Sequence, residues 1–265
     1  MIKVEDAERV RLITFARPEA RNAFDTALYN AVADALAEAE TRDDIAVVVL
    51  TGEGTAYSAG QDLGEMGRLT TPEAKGPAGD EARQEHGFQH FVGVLERFPK
   101  PVVAAVNGVA VGLGTTMLPY CDLVLVSTKA RFRLPFASLG VVPEAGSTFN
   151  LPVVMGWQAA AHSFFTAEWF DADQAVACGL ALRTCEPDAL LTEAIDMARA
   201  IARMPVVSLV ETKRLLLETR LDLARAARTR EEAVFAVLTG APANREAIAA
   251  FREKRDADFT NLASE

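Results

Sequence analysis

The sequence predicts an α/β fold that has a parallel sheet in its first part and a helical region at its end. Two observations support this prediction. Short apolar runs are separated by helical segments, and strong helical periodicity fills the chain after about residue 155. A strand, a helix and a second strand in that order imply a parallel crossover. We expect an α/β core over residues 1–190 and a helical oligomerisation region over residues 191–265.

The first elements are a strand, a helix and a strand. Residues 8–15 alternate between polar and apolar side chains, and the continuous apolar run 46–51 is typical of a strand buried on both faces. Asp25 suits the N-cap of a helix that runs to about Glu40. Its apolar face holds Leu28, Val32, Ala35 and Leu36. A loop with glycine and serine follows at 52–61.

The remaining elements follow the same signals. We expect a short helix at 62–66, a mobile surface loop at 69–80, a helix at 81–98, and strands at 102–106, 123–126 and 131–134. Pro119 predicts a short or kinked helix after Gly114, because proline removes a backbone donor. Apolar periodicity predicts the last helices at 189–203, 207–218, 221–238 and 243–254.

Charge and composition exclude several classes of function. The formal net charge of -10 argues against a nucleic-acid partner. No apolar run approaches the ~20 residues that span a bilayer, and residues 1–10 lack the apolar core of a leader, so we expect a cytoplasmic protein without a membrane partner. Cys121, Cys178 and Cys185 are widely spaced, which predicts reduced thiols.

Metal binding has weak support. His86 and His90 are four residues apart on a predicted helix, the spacing at which two imidazoles can share one metal ion. Gly87 stands where a zinc protease needs its glutamate, and no third ligand is nearby. Two solvated or capping histidines are the better interpretation, and we predict no metal site.

Two turns that contain glycine carry more information. Each of the segments 57–63 and 107–115 leaves a predicted strand and enters a helix. Such a turn exposes unpaired backbone N–H groups at the positive end of the helix dipole. If the two turns converged, they would form a hole for a developing oxyanion, in which each donor is typically worth ~3–4 kcal/mol. A single turn of this kind is more often a packing feature.

These turns belong to a larger pattern. The run S-A-G-x-D-L at 58–63, then K-P-V-V-A-A-V-N-G-V-A-V-G-L-G at 100–114 and Y-C-D-L-V-L-V at 120–126, resembles the signature of the crotonase (enoyl-CoA hydratase/isomerase) superfamily. Residues 17–24 resemble its first CoA-contacting loop, and residues 251–255 resemble its terminal F-x-E-K-R segment. The matches occur in family order over essentially the whole chain.

The resemblance implies a crotonase-like ββα spiral core with a helical C-terminal oligomerisation region, in a homotrimer or hexamer. It also implies an acyl-CoA thioester substrate in lipid metabolism, with CoA carried by the substrate and no prosthetic group. The backbone N–H groups of Gln61 and Leu113 would form the oxyanion hole. CoA would be held by backbone around Ala23, Ala59, Asp62 and Leu63, with Arg21 and Lys254 as candidates for its phosphates. Lys254 would reach over from a neighbouring subunit.

The type of reaction depends on which carboxylates are present. Hydratases of this family carry two glutamates, and their positions correspond here to Thr116 and Phe136, which cannot act as general bases. Glu144 follows Pro143, and by itself would be interpreted as a charge favoured by a helix dipole. The segment resembles, however, the monofunctional Δ3,Δ2-enoyl-CoA isomerases, where this glutamate is the single acid/base. The leucine in Gly112-Leu113-Gly114 resembles those isomerases too.

The sequence therefore predicts an enoyl-CoA isomerase in which Glu144 works in an apolar pocket. Candidates for that pocket are Phe132, Leu134, Phe136 and Leu139. Two alternatives stay open. The first is a hydratase, hydrolase or related lyase whose base comes from elsewhere in the chain, for instance Asp62 or Glu65. The second is a non-catalytic acyl-CoA-binding module on the same fold.

Overall fold

The computed structural model describes residues 1–65, 87–260 and 262, and its strands form two sheets. In chain order the strands are β1 Ile2–Ala7, β2 Val10–Phe15, β3 Val47–Gly52, β4 Ala56–Ser58, β5 Val102–Val106, β6 Val109–Val111, β7 Leu123–Ser127, β8 Arg131–Arg133, β9 Phe170–Asp171 and β10 Arg183–Cys185. The larger sheet has the order β1-β2-β3-β5-β7-β10, and the smaller one has the order β4-β6-β8-β9. The fold is therefore the predicted α/β class.

Helices cover both sheets and make up the end of the chain. In chain order they are α1 Thr26–Thr41, α2 Gly87–Leu95, α3 Leu113–Thr116, α4 Ser147–Met155, α5 Trp157–Thr166, α6 Ala172–Ala177, α7 Leu190–Ala202, α8 Val206–Glu218, α9 Leu221–Leu238 and α10 Pro242–Glu253. None of the described helices is both long and apolar enough to cross a membrane.

The predicted parallel crossover is confirmed. Strands β2 and β3 pair in parallel, and α1 connects them. The side chain of Asp25 caps α1 by accepting the N–H of Leu28 at 2.8 Å, which satisfies one of the free donors at the helix start. The predicted apolar face of α1 is buried, and α1 packs against α2 in the main core.

The second face of the large sheet is covered by α7. Leu190, Ala194, Ala198 and Ala202 pack against side chains from β2, β3, β5 and β7. Small alanine side chains let the helix approach the sheet closely. Helix α7 is thus part of the core, and the division of the chain at residue 190 stays a prediction.

The small sheet sets the geometry of the two glycine turns. Strand β6 pairs in parallel with β4 on one side and with β8 on the other, and β8 pairs antiparallel with β9. Because parallel strands end at the same edge, the turns that follow β4 and β6 leave the sheet side by side.

Several elements differ from the sequence prediction. Strand β1 was missed because its apolar alternation is limited to Ile2 and Val4, and five of its six residues are exposed. Strands β4, β6, β9 and β10 have only two or three residues each and lie in segments predicted as turns or helices. The predicted loop at 69–80 and the start of the predicted helix at 81–98 lie outside the described residues, and α2 is the described part of that helix.

Two local predictions are confirmed. Helix α3 has four residues, and a 3-10 turn that contains Pro119 follows it at Leu118–Tyr120. Proline is accepted there because the first turn of a helix has no backbone acceptor for its N–H. All three cysteines are free thiols.

Candidate active site

The two glycine turns are in contact. A Cβ atom at Gly60, whose φ is +86°, would lie 2.6 Å from the carbonyl oxygen of Val111. A Cβ atom at Gly114 would lie 2.5 Å from the carbonyl oxygen of Ser58. Both distances are shorter than a van der Waals contact, so each position requires glycine if the backbones are to approach this closely.

The pairing around the first turn orients its backbone. The N–H of Phe24 donates to Gly60 O at 2.7 Å, and the N–H of Asp62 donates to Phe24 O at 2.9 Å. Since alternate backbone groups of an extended segment point to opposite edges, the N–H of Gln61 lies on the edge away from Phe24. That edge is the one next to the second turn, as the contact between Gly60 and Val111 requires.

The second turn opens helix α3. Gly112 has a φ of +52° and donates its N–H to Arg133 O at 3.0 Å, which anchors the turn to β8. Its carbonyl accepts the N–H groups of Thr115 and Thr116 at 2.8 and 2.9 Å. The N–H of Leu113 has no acceptor among the described residues, as is usual for the first residue of a helix.

Gln61 and Leu113 both line a cavity of about 770 Å³. Ligand pockets commonly measure roughly 300–1,000 Å³, so a large organic group fits here. The floor is formed by the small sheet and the two turns, and α9 and α10 form the opposite wall. Much of the lining is apolar, including Phe136, Leu139, Val141, Trp169, Phe235 and Phe251.

Glu144 lies in the wall of the same cavity, in the segment before α4. Its surroundings raise its pKa to about 8, first because burial disfavours the charged form, and second because the carboxylate of Glu231 is near. The side chain keeps part of its surface accessible, and this surface faces the cavity. A carboxyl group with such a pKa can accept and return a proton near neutral pH.

Two of the four residues predicted to form the apolar pocket around Glu144 line the cavity. Phe136 and Leu139 line the cavity, but Phe132 and Leu134 do not, and both are completely buried in the core. The physical reason is the two-residue period of β8, which points both side chains into the protein; Phe132 stacks on Phe170 with ring centroids 5.2 Å apart. The same alternation places Arg133 in the cavity wall.

Most residues predicted to bind CoA lie together at this cavity. The lining includes Ala23, Ala59, Asp62 and Leu63, and Arg21 stands exposed among them. Lys254 does not line the cavity of its own chain, because it ends α10 in a left-handed conformation and faces outward. Its predicted role depended on a neighbouring subunit and stays a prediction. The next residue, Arg255, is in the lining and pairs with Glu246.

Two residues that brace this loop were missed. Arg17 forms ion pairs with Asp25 at 3.1 Å and with Asp62 at 3.2 Å, and so joins the N-cap of α1 to the first glycine turn. Asn22 is fully buried, and its Nδ2 donates to Ala56 O at 2.7 Å. Both lie in the motif at 17–24, but nothing in the local sequence indicates which backbone groups they reach.

The two carboxylates proposed as alternative bases have structural partners. Beyond its pairing with Arg17, Asp62 accepts the N–H of Gly64 at 2.9 Å. Glu65 accepts the N–H of Thr26 at 2.9 Å and does not line the cavity. Both groups are therefore occupied in holding the loop and the starts of helices.

The two positions that correspond to hydratase glutamates do not supply a carboxylate. Thr116 is fully buried behind the cavity wall, and Phe136 presents a ring to the cavity. No cluster of three potential metal ligands occurs among the described residues; His90 is exposed, and His86 lies outside them. The geometry offers backbone donors, one carboxyl group with a raised pKa and an apolar wall.

Comparison with known proteins identifies the family. The family model described as "Enoyl-CoA hydratase/isomerase" matches residues 5–262. The chain belongs to the enoyl-CoA hydratase/isomerase family. It is thus an acyl-CoA enzyme of the crotonase superfamily, as its motifs indicated. The crystal structure of an enoyl-CoA hydratase/isomerase from Pseudoalteromonas atlantica T6c is 34% identical in sequence, the alignment covers 98% of this chain and 99% of that one, and the TM-score is 0.89.

Relatives in this family carry out different reactions. The 2,3-dehydroadipyl-CoA hydratase of Escherichia coli (strain K12) is 33% identical over 256 residues, which is 97% of each chain. The 1,2-epoxyphenylacetyl-CoA isomerase of the same organism is 33% identical over 260 residues, which is 95% of each chain. Since a hydratase and an isomerase are equally similar, the reaction has to be argued from the site itself.

Proposed function

We propose that this enzyme isomerises 3-enoyl-CoA to trans-2-enoyl-CoA, with Glu144 as its single acid/base group. The main support is the position of Glu144 in the wall of the cavity that Gln61 and Leu113 also line. Further support comes from Thr116 and Phe136, because neither offers the carboxylate that activates water in a hydratase.

The substrate would lie along the cavity from the loop at 20–23 to Glu144. Arg21, Ala23, Ala59, Asp62 and Leu63 would hold the CoA portion, and the thioester carbonyl would lie between the two glycine turns. The acyl chain would extend along Phe136, Leu139 and Val141. On the protein's net charge of -10, a local cation such as Arg21 is needed to attract the phosphates.

The chemistry is a proton shift. The Glu144 carboxylate removes a proton from C2 of the 3-enoyl thioester, and the electron pair forms a dienolate whose negative charge lies on the thioester oxygen. The N–H groups of Gln61 and Leu113 stabilise that oxyanion. The protonated Glu144 then donates at C4, the carbonyl re-forms, and the double bond ends between C2 and C3. The proton that leaves is returned, so the reaction consumes no water.

The raised pKa of Glu144 suits this role. A carboxyl group with a pKa of about 8 is a stronger base than an ordinary glutamate, and it is nearly matched to neutral pH. The burial that raises the pKa would also limit the access of water to the dienolate once substrate fills the cavity.

Replacing Glu144 by glutamine tests the proposal. We expect kcat for 3-enoyl-CoA to fall by ~10²–10⁴-fold, because this is the usual contribution of general acid/base catalysis, while the affinity for CoA stays the same. Glu65→Gln is the matched control, since Glu65 lies near the site but outside the cavity lining. Wild type and both variants would be assayed with 3-enoyl- and 2-enoyl-CoA, with products identified by mass.

The same assay distinguishes the alternatives. A product heavier by one water from 2-enoyl-CoA indicates a hydratase, and release of free CoA indicates a hydrolase. Loss of activity in Glu65→Gln but not in Glu144→Gln would assign the base to Glu65. Tight CoA binding without turnover of either substrate would indicate a binding module. Each of these results contradicts the isomerase proposal.

The pH dependence gives an independent prediction. Because the proposed base acts as a carboxylate, kcat/KM should rise with pH through the pKa of Glu144 in the free enzyme, near pH 8. An ordinary exposed glutamate would give this rise near pH ~4.3. Initial rates between pH 5 and 9.5 would measure the midpoint, and a flat profile above pH 6 would contradict the prediction.

A further inference from the structure

The turn that follows Glu144 has an unusual backbone. Ala145 and Gly146 both have positive φ angles, +58° and +67°. A residue with a Cβ atom rarely adopts this left-handed conformation, since the Cβ approaches its own backbone. Gly146 has no Cβ atom and adopts this conformation freely, so the strain lies at Ala145, which persists there only because neighbouring groups hold it. The position of Glu144 therefore depends on what holds this turn.

Glu231 is the main group that holds it. The residue lies on α9 and is 5% exposed. Its carboxylate accepts the N–H of Gly146 at 2.6 Å, the N–H of Thr148 at 2.7 Å and the hydroxyl of Thr148 at 2.5 Å. Gly146 is the N-cap of α4 and has no side chain to cap that helix, so Glu231 supplies the cap from a distant part of the chain.

Tyr120 holds the same turn from the other side. Its hydroxyl donates to Ala145 O at 2.6 Å, and it follows α3, the helix that begins at Leu113. A Cβ atom at Gly146 would lie 2.9 Å from Ala224 O and 3.0 Å from the Tyr120 hydroxyl, so the turn fits tightly between α9 and the segment after α3. The two sides of the proposed active site are thus joined through this turn.

We propose that Glu231 is a positioning residue, an inference that rests on the proposed function. Its carboxylate fixes the turn after Glu144 and thereby holds the Glu144 side chain in the cavity. Glu231 does not line the cavity and does not touch the substrate space. It acts through the main chain of Gly146 and Thr148. Burial raises the pKa of Glu231, and the three donors on its two oxygens partly offset this effect by favouring the ionised form.

The charge of Glu231 also acts on Glu144 directly. After burial, the negative charge of Glu231 is the second cause that raises the pKa of Glu144. On α1, burial raises the pKa of the Tyr29 hydroxyl well above its usual value, with smaller contributions from the charges of Glu144 and Glu65, so this hydroxyl stays neutral. Removing the charge of Glu231 should therefore lower the pKa of Glu144.

Other charged groups near Glu231 are paired with one another. On α9, Arg228 forms ion pairs with Glu232 at 3.2 Å and with Glu96, which follows α2, at 3.3 Å. Arg225 pairs with the same oxygen of Glu96 at 3.0 Å. None of these ion pairs includes Glu231, so replacing Glu231 removes its charge without taking a partner from any of them.

The experiment compares Glu231→Gln with Glu232→Gln. Glutamine keeps the size of the side chain but removes the charge and one strong acceptor, and Glu232 is the adjacent residue on the same helix. For Glu231→Gln we expect kcat to fall by about tenfold or more, because small errors in the position of a catalytic group are costly. KM should stay within about twofold, and the rise of kcat/KM with pH should move to lower pH. Glu232→Gln should change none of these.

The outcomes separate this inference from the proposed function. If Glu144→Gln keeps full activity, both fail. If Glu144→Gln is inactive while Glu231→Gln has wild-type kcat and an unshifted pH profile, only the role of Glu231 is overturned. Circular dichroism and thermal melting would verify that each variant is folded.

A second variant covers the case in which Glu231→Gln does not fold. Thr148→Val removes one of the three donors to Glu231 and leaves the charge in place, and Thr148 is exposed enough for valine to be accommodated. It should lower kcat by a few-fold without moving the pH profile. Wild-type kcat in a folded Thr148→Val, together with wild-type kcat in Tyr120→Phe, would overturn the inference.

Discussion

At the scale of single residues, the raised pKa of Glu144 suits it for proton transfer but lowers the stability of the folded protein. In the unfolded chain its carboxyl group has an ordinary pKa, and in the folded protein the pKa is about 8. Between these two values the folded state holds a proton that the unfolded state has released. The free energy of unfolding therefore falls as pH rises from about 4.5 to 8, and the full cost is present above pH 8.

Glu144→Gln should consequently be more stable than wild type at alkaline pH. Each pKa unit corresponds to ~1.4 kcal/mol, so the gain is at most ~5 kcal/mol above pH 8, and little of it should be present at pH 4.5. Urea unfolding of both proteins at pH 5 and pH 9 measures the difference. Equal stability differences at the two pH values would show that Glu144 has an ordinary pKa in the folded state.

The residues of the site were predictable to different degrees. Gln61, Leu113 and Glu144 follow from local motifs, and the structure brings all three to one cavity. Glu231 was not predicted, because it lies in a helical segment rich in charges, and its hydrogen-bond partners are 83 and 85 residues away. Spacing within a motif indicates local chemistry, but contacts across the fold leave no local signal.

At the scale of secondary-structure elements, long periodic segments were predictable and short strands were not. Helices α1, α8 and α9 and strand β5 have the predicted bounds to within about two residues, because each carries a clear apolar pattern in its sequence. Strands β4 and β6 are three residues long and are defined by their pairing with each other. Pairing between distant segments is set by the tertiary fold and does not appear in hydrophobic periodicity.

The contact between the glycine turns gives a prediction at this scale. Gly114→Ala would place a Cβ atom 2.5 Å from Ser58 O, so β4 and α3 must separate. We expect a loss of about 1–3 kcal/mol in stability and a large loss of activity, because the two predicted oxyanion donors move apart. The control is Gly93→Ala in α2, whose new Cβ meets the end of the Arg97 side chain at 3.3 Å. Urea unfolding and kcat would be measured, and a Gly114→Ala variant as stable and active as the control would contradict the prediction.

At the scale of the whole molecule, the C-terminal helices present much apolar surface. Val207 on α8, Val237 on α9 and Phe251 on α10 are 76%, 75% and 65% exposed, and Leu216 on α8 is 62% exposed. Large apolar patches on a single chain usually mark interaction surfaces. The predicted homotrimer or hexamer would cover part of this surface.

The molar mass of the assembly in solution tests the predicted oligomeric state. One chain has a mass of 28.5 kDa, and we expect light scattering after size exclusion to give three or six times this value. A mass equal to a single chain at micromolar concentration would contradict the prediction. Exchanging Val207 or Val237 for lysine should lower the mass if that position lies at the interface, because an unpaired buried charge is unfavourable.

The wall that α10 contributes to the cavity has a consequence for synthesis. Ala247, Ala250 and Phe251 close one side of the cavity, and Asn244 donates to Leu139 O at 2.8 Å to dock this helix on the turn before Glu144. Helix α10 comes after every strand in the chain, so it is the last described element to leave the ribosome. In a nascent chain whose two sheets are already folded, the cavity would still lack the wall that α10 forms. The cavity would be complete for an acyl-CoA thioester only after α10 has emerged and docked.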